Sequence, residues 1–521
     1  MKPNALFLIL FALLTYFAGT LGLEAVVPPP DGSYPNFTTA EGQNALQNLT
    51  TGAGNTAVGW FSLRTVTDAS FNTAIGVGTL ALNNATENTA TGAGALLSNT
   101  IGVNNAANGA FALFGNTEGS YNTAVGDRAL FSNTTGIVNT AIGAGALASN
   151  TTGDHNTAIG GDFVLFNNTI GTYNAALGVD ALASNTEGGF NTAIGVFALS
   201  SNTTGITNTA VGTYALLNNT TGLGNTATGL SALQNNTSAN INTAFGYYAL
   251  ISNTTGTENT ANGAYALSIN TTGNFNTANG AFTLEFSTGS ADTATGAAAL
   301  ENNGTGSNNT AIGANALVNN ATGNNNTALG YQAGQNVTMA NNVICIGTDG
   351  NDVDNSCYIG NIFGATSADG ISVLVNSNGR LGTMTSSARF KEDIKPMAKA
   401  SEALFALKPV SFRYKKAVDP EGPECKSQFG LVAEDVEKVN PDLIVRDKEG
   451  KPYSVRYDAV NAMLLNEFLK EHAKVEQLKK DFESKITEQQ KQIEALTAGL
   501  QKVSAQLELS KSAPQTVLNN Q

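Results

Sequence analysis

The sequence predicts a mainly β protein: an elongated repeat β-solenoid, open to a trimeric β-roll, then a small α+β domain and a C-terminal coiled-coil helix. Three observations carry this expectation. A phrase of the form NTA-x-G recurs with a period close to 17 residues. Charged residues are only 13 % of the chain, and nearly all Lys and Arg lie beyond residue 380. Toward the C-terminus, apolar residues step by three and four.

Taken in order, residues 1–25 (MKPNALFLILFALLTYFAGTLGLEA) carry one Lys and an apolar run followed by small residues, which reads as a signal peptide. The run from Ala5 to Leu23 approaches membrane-spanning length, so an uncleaved N-terminal anchor is the alternative. Either way the chain is expected to be exported, to the cell surface or the extracellular space. Residues 26–54 read as a linker and N-terminal cap.

Residues 55–342 hold the repeats. Their first residues are Asn55, Asn72, Asn88, Asn105, Asn122, Asn139, Asn156, Asn174, Asn191, Asn208, Asn225, Asn242, Asn259, Asn276, Asp292, Asn309 and Asn326, seventeen copies in all. A typical unit, residues 191–207, reads NTAIGVFALSSNTTGIT. One unit has too few apolar residues to bury a core alone, whereas stacked units align Ala, Leu and Ile into columns and Asn and Thr into hydrogen-bonded ladders. With strands about 4.8 Å apart, seventeen rungs give a rod on the order of 80 Å long. The Gly-x-x-Ala-Leu stretch is compatible with a helical turn or a second strand, because the period does not arbitrate at this length. The many N-x-T strings are read as repeat turns rather than as glycosylation sites.

Composition excludes several functions. A net charge of -14, with only Arg64 and Arg128 against twelve acidic residues between 50 and 340, is no footprint for nucleic acid. His155 and His472 stand alone, so neither a metal site nor a His-based catalytic site is expected, and nothing calls for a cofactor. The acidic residues lack the regular pairing of a glycosidase. A cell-surface or carbohydrate ligand is left unidentified. The repeats resemble, by composition, the head repeats of trimeric autotransporter adhesins, which stack similar phrases at a shorter period.

A β-rich connector, residues 343–385, follows, with alternating apolar residues beside Asn-Gly turns. Cys345 and Cys357 lie in similar phrases, CIG and CYIG, and export would permit a disulfide between them, leaving Cys425 over.

Residues 386–478 contain three ordered motifs. Ser386, Ser387, Ala388, Arg389, Phe390 and Lys391 are followed by Ile394. Then come Lys408, Pro409 and Val410 with Phe412 and Tyr414, and the phrase from Phe429 through Gly430 to Val436. Last are Val455, Arg456 and Tyr457. Together they resemble the peptidase S74 family, the intramolecular chaperone domain at the ends of phage endosialidase tailspikes and tail fibres. The resemblance implies a homotrimer and a self-cleaving serine endopeptidase acting once, in which Ser386 attacks the bond between Thr385 and Ser386. A serine hydroxyl needs a base, and a lysine serves if burial favours its neutral form, which assigns that role to Lys391. Arg389 is expected to orient the loop or hold a carboxylate. Ser387 stands where the family often has Asp, and is a minor rival nucleophile.

Residues 459–509 read as a long helix. Ile486, Gln489, Ile493, Leu496, Leu500, Val503 and Leu507 form a heptad seam, joined upstream by Val475, Leu478 and Phe482 through a stutter. The heptads alone allow two or three strands. Residues 510–521 are expected to be a disordered tail. The functional expectation is an exported fibre or adhesin-like stalk whose end domain drives assembly and cuts itself off; the alternative is a non-cleaving surface protein that uses the domain only to trimerise.

Overall fold

The repeat phrase forms one short strand per turn of a solenoid. The fold, seen in a computed structural model, is described for residues 35–415 and 427–510. The expected signal peptide, nearly all of the C-terminal tail and Cys425 lie outside the described residues. Two compact units divide the chain, Met1–Ala365 and Thr366–Gln521.

The first unit is a parallel β-solenoid. Twenty three-residue strands, from β1 (Thr39–Glu41) to β20 (Cys357–Ile359), form one sheet. Each pairs in parallel with the next along the chain, with equivalent residues opposite one another, as Thr192, Ala193 and Ile194 pair with Thr209, Ala210 and Val211. The middle Ala of the strand faces inward and is fully buried, while its neighbours face out. Beyond the seventeen repeats, three further rungs lack the Asn that makes the phrase visible in sequence. Thr38, Val343 and Ser356 occupy that place before β1, β19 (Ile344–Ile346) and β20. The solenoid therefore reaches into both the expected N-terminal cap and the expected connector.

Two asparagines per turn hold the rungs together. In the first ladder Asn208 donates its backbone N–H to Asn191 Oδ1 at 3.0 Å and its side-chain amide to the Gly222 carbonyl at 2.8 Å. Its own Oδ1 accepts from the Asn225 N–H at 3.0 Å. In the second ladder Asn202 Nδ2 donates to Asn185 Oδ1 at 2.8 Å and to the Gly205 carbonyl at 3.0 Å. These amides are fully buried, so each needs its partners from within the rod. The N-x-T asparagines Asn133, Asn150, Asn202, Asn219, Asn253 and Asn270 belong to this second ladder and are inaccessible to a glycan.

The Gly-x-x-Ala-Leu stretch is neither helix nor strand. Leu199 has a φ of 51° and Phe197 a φ of 58°, with Ala198 between them. Left-handed conformations are costly for side-chain-bearing residues, roughly 1–2 kcal/mol each. They are held here because the alternation aims every second N–H along the rod axis. Leu199 N–H reaches the Ala215 carbonyl at 3.0 Å and Ser201 N–H the Leu217 carbonyl at 3.0 Å. Leu199 is fully buried in return. The Gly ending each phrase is required by close approach: a Cβ on Gly195, at φ 133°, would sit 2.7 Å from the Gly212 backbone.

At the C-terminal end a carboxylate replaces the amide ladder. Asp352 accepts hydrogen bonds from Thr338 N–H and Ala340 N–H at 2.8 Å and from Met339 N–H at 2.9 Å. Its burial favours the neutral form, but the bonds from Thr338, Ala340 and Met339 outweigh that and hold the carboxyl at about 2.

The second unit is a small α+β assembly. Three antiparallel pairs are formed by β21 (Val373–Val375) with β22 (Leu381–Thr383), β23 (Val410–Phe412) with β24 (Gln428–Gly430), and β25 (Ile444–Arg446) with β26 (Pro452–Val455). Helix α1 (Ala433–Val439) precedes β25, and helix α2 (Tyr457–Leu509) follows β26. Val436, Leu443, Ile444, Val455, Val460 and Met463 form the core, with Met397, Leu404 and Leu407 packed on it. No helix among the described residues is long and apolar enough to cross a membrane.

Truncation of the ladder tests the solenoid. Asn208→Ala leaves buried partners unpaired and should destabilise the rod by roughly 1–3 kcal/mol. Leu216→Ala should cost about 2–5 kcal/mol, whereas Thr221→Ala, on the surface, should stay within about 0.5 kcal/mol. Denaturant unfolding followed by circular dichroism checks the order.

Candidate functional site

The β21–β22 hairpin turns at Asn376 and Gly379, and delivers the chain to Met384, Thr385 and Ser386. A single 3₁₀ turn, Ala388–Phe390, follows, and Lys391 returns to extended backbone. That turn folds Lys391 back toward the serine five residues earlier. Lys391 Nζ donates to Ser386 Oγ at 3.4 Å. The separation is longer than an ideal hydrogen bond. The structure thus brings the two expected catalytic residues together beside the bond between Thr385 and Ser386.

The supporting residues are placed differently from expectation. Arg389 lays its guanidinium over the Phe390 ring, 4.5 Å from the centroid. Among the described residues no carboxylate pairs with it, so it stiffens the turn by a cation–π contact. Ser387 stands at the N-cap of the 3₁₀ turn without a side-chain capping bond. All residues from 361 to 396 are exposed, Ser386 and Lys391 included. Several of them are large and apolar, among them Ile371, Val373, Val375, Leu381, Phe390 and Ile394.

The second and third sequence motifs meet in one small core. Val410 and Phe412 of β23 pair with Gly430 and Gln428 of β24. Tyr457, at the start of α2, accepts the Leu431 N–H on its hydroxyl at 3.0 Å. Gly430 lies under both: an added Cβ would sit 2.9 Å from Tyr457 Oη and 3.1 Å from Phe412 Cε1. The second and third motifs are therefore parts of one folded body.

A further cluster had no sequence signal. Ser401, fully buried, donates to Glu467 Oε1 and accepts from Asn466 Nδ2 at 2.6 Å and Lys470 Nζ at 3.3 Å. Lys470, first, and then the Ser401 hydroxyl hold the Glu467 carboxyl below its ordinary range. This cluster ties the 3₁₀ segment Ala398–Ala406 to α2. Only its spacing on α2, at positions 466, 467 and 470, marks it as one face of a helix, and nothing local pairs that face with a serine 65 residues earlier.

The two cysteines of the connector are not bonded. Ile344 lies opposite Cys357, and Cys345 opposite Tyr358, so the two thiols point to opposite faces of the strands. Cys345 is buried in the solenoid core and Cys357 is exposed. Burial, and secondarily Cys357, push the Cys345 thiol up to about 11. His155 is stacked on Tyr173 and His472 on Phe468, and among the described residues no group of His, Cys, Asp and Glu could hold a metal ion.

Geometry thus defines a repeat rod followed by a compact unit that opens on a serine–lysine pair. Residues 386–445 match the model of the peptidase S74 family, described as the chaperone of endosialidase. The match begins at Ser386 and ends in β25, so the motif at Val455 and helix α2 lie beyond it. No curated protein and no solved structure matches the chain.

The alternating register predicts thiol reactivity. In the folded chain a maleimide should modify Cys357 and leave Cys345 free until the rod is unfolded, as read by peptide mass mapping. Modification of both at equal rates would contradict the register.

Proposed function

We propose that the chain is an exported fibre or adhesin-like stalk whose C-terminal unit assembles three copies and then cuts itself from the rod at Ser386. The observation that carries the reading is the approach of Lys391 Nζ to Ser386 Oγ at the first residue of the family match. In the cut, a neutral Lys391 amine takes the hydroxyl proton and Ser386 Oγ attacks the Thr385 carbonyl carbon. The peptide C–N bond breaks, the Ser386 nitrogen leaves as an amine with the proton returned by Lys391, and an ester links Thr385 to Ser386 Oγ. Water then hydrolyses the ester and restores the hydroxyl.

Assembly and cutting are linked by exposure. Covering this loop with neighbouring copies would exclude water from it, and burial of a lysine favours its neutral, basic form. The apolar residues exposed on the same segment give it a reason to be covered. Along α2 the seam residues Ile486, Ile493, Leu496, Leu500, Val503 and Leu507 are likewise exposed in the single chain, as residues awaiting a partner helix would be. A non-cleaving assembly domain is the second reading, and the replacement of the family's usual Asp by Ser387 favours it.

On a denaturing gel the wild-type chain should resolve into pieces ending at 385 and beginning at 386, while Ser386→Ala and Lys391→Ala should remain intact. Loss of a positioned base alone should slow cutting by about 10²–10⁴-fold. Full-length wild type would sink the protease claim and leave the assembly claim standing. Assembly has its own test: Ile493→Lys with Leu500→Lys should shift the chain to monomer in light scattering and, if exposure limits the base, should slow cutting as well.

A further inference from the structure

The two asparagine ladders are interrupted in the same place. The first runs as Asn from Asn55 to Asn326 except at Asp292, and the second as Asn from Asn83 to Asn320 except at Ser287. The two exceptions are five residues apart, in a turn one residue shorter than the usual seventeen, since Thr277 pairs with Thr293.

The local bonds are rearranged accordingly. Asp292 still donates its N–H to Asn276 Oδ1 at 3.0 Å, and its Oδ1 still accepts the Asn309 N–H at 2.8 Å. In the regular turns, however, the side-chain amide at this place donates to a glycine carbonyl fourteen residues on, as Asn309 does to Gly323 at 3.0 Å. Asp292 has no amide hydrogen for the equivalent Gly306. The Asn303 amide keeps its regular second-ladder bonds, to the Gly306 carbonyl at 2.8 Å and to the preceding ladder position, here Ser287 Oγ, at 3.1 Å, and its nitrogen also lies 2.9 Å from Asp292 Oδ2. Two hydrogens face three acceptors. A protonated carboxyl group supplies the missing donor, so the neutral acid is the form that fits a ladder of amides.

Among the described residues no cation is paired with the Asp292 carboxyl. Asp292 is fully buried, and the groups facing it from the adjoining turns are Asn276, Asn303, Asn309 and Ser287, none of them titratable. The other charged side chains of these turns are Glu285 and Glu301, which repel one another; burial first, and then Glu301, raise the Glu285 carboxyl. No Lys or Arg occurs between Arg128 and Arg380.

We infer that the turn from Asn276 to Asn309 is an acid-tightened seam, at which the rod holds most firmly while Asp292 carries a proton and opens first when it does not. Burial, outweighing the hydrogen bonds from Asn309 and Asn303, pushes the Asp292 carboxyl up to about 7. A carboxyl raised in the folded state stabilises fully below its unfolded value and loses that contribution as pH rises through the folded one. The window therefore runs from about 4 to about 7.

Hydrogen exchange on the full chain tests this, with amide rates corrected for base catalysis and compared at the seam (Thr293, Asn309) and far from it (Thr209, Asn225). In wild type the seam's opening constant should rise by up to about tenfold per pH unit across the window and level off above it, while the distant turns stay flat. Asp292→Asn restores the residue found in every neighbouring turn, and should abolish the rise. Glu285→Gln should leave most of it. An unchanged rise in Asp292→Asn, a rise shared equally by the distant turns, or its loss in Glu285→Gln would each overturn the seam.

Discussion

A buried asparagine amide has nowhere to turn but the next rung. It carries two donors and an acceptor, and in this rod it is sealed from water, so each of its groups must be met by an atom of its own or an adjoining turn. That constraint fixes the spacing of equivalent residues, because a partner displaced by one position would present a side chain of the wrong kind on the wrong face. It also explains the residues around the ladder. The inward Ala of each repeat strand and the glycines at φ near 130° keep successive turns close enough for the amides to meet, and a Cβ on Gly205 would collide with its own ladder, 2.3 Å from Asn202 Oδ1.

The backbone bears a cost for this arrangement, and the repeats spread it evenly. Leucines such as Leu199, Leu216 and Leu233 all adopt left-handed φ values near 50°. Each is fully buried, and burying a leucine contributes about 1.5–3 kcal/mol, comparable with the strain. A single turn could not hold such a conformation. Stacked turns can, because each interface adds hydrogen bonds and apolar contact without adding new kinds of strain.

What could be read from the sequence follows from where the chemistry is local. The period, the strands and the turn asparagines are visible because each rung repeats the same residues. Thr38, Val343 and Ser356 hid three further rungs, since strand pairing survives the loss of the amide at the ends of a stack although the signature phrase does not. The left-handed leucines were invisible, because leucine carries no signal for such a conformation and only the stacking imposes it. In the C-terminal unit Ser386 and Lys391 were legible as neighbours five residues apart joined by one tight turn. The partnership of Ser401 with Glu467 and the place of Gly430 under Tyr457 were not, since both depend on packing between distant segments. The separation of Cys345 from Cys357 turned on strand register, which spacing alone does not give.

A rod of near-identical turns has a difficulty of its own making. If one turn were looped out, its neighbours could pair with one another almost as well as with the turn omitted, so the energy gap between the correct stack and a slipped one is small. Stepwise parallel pairing also leaves an edge exposed while it proceeds. The irregular places break this degeneracy. The seam at Ser287 and Asp292 fits only its own neighbours, and so does the end at Asp352, whose carboxylate needs the N–H groups of Thr338, Met339 and Ala340. The two acids sit at opposite extremes, one favoured neutral by burial and one held ionised by three N–H groups and the Thr338 hydroxyl. A growing stack that carries such marks still benefits from a start at a defined end. Under the proposed function, a C-terminal unit whose hairpin and helix seam leave apolar residues exposed would supply that start by pairing with other copies, and a cut at Ser386 would release it once the stack is closed.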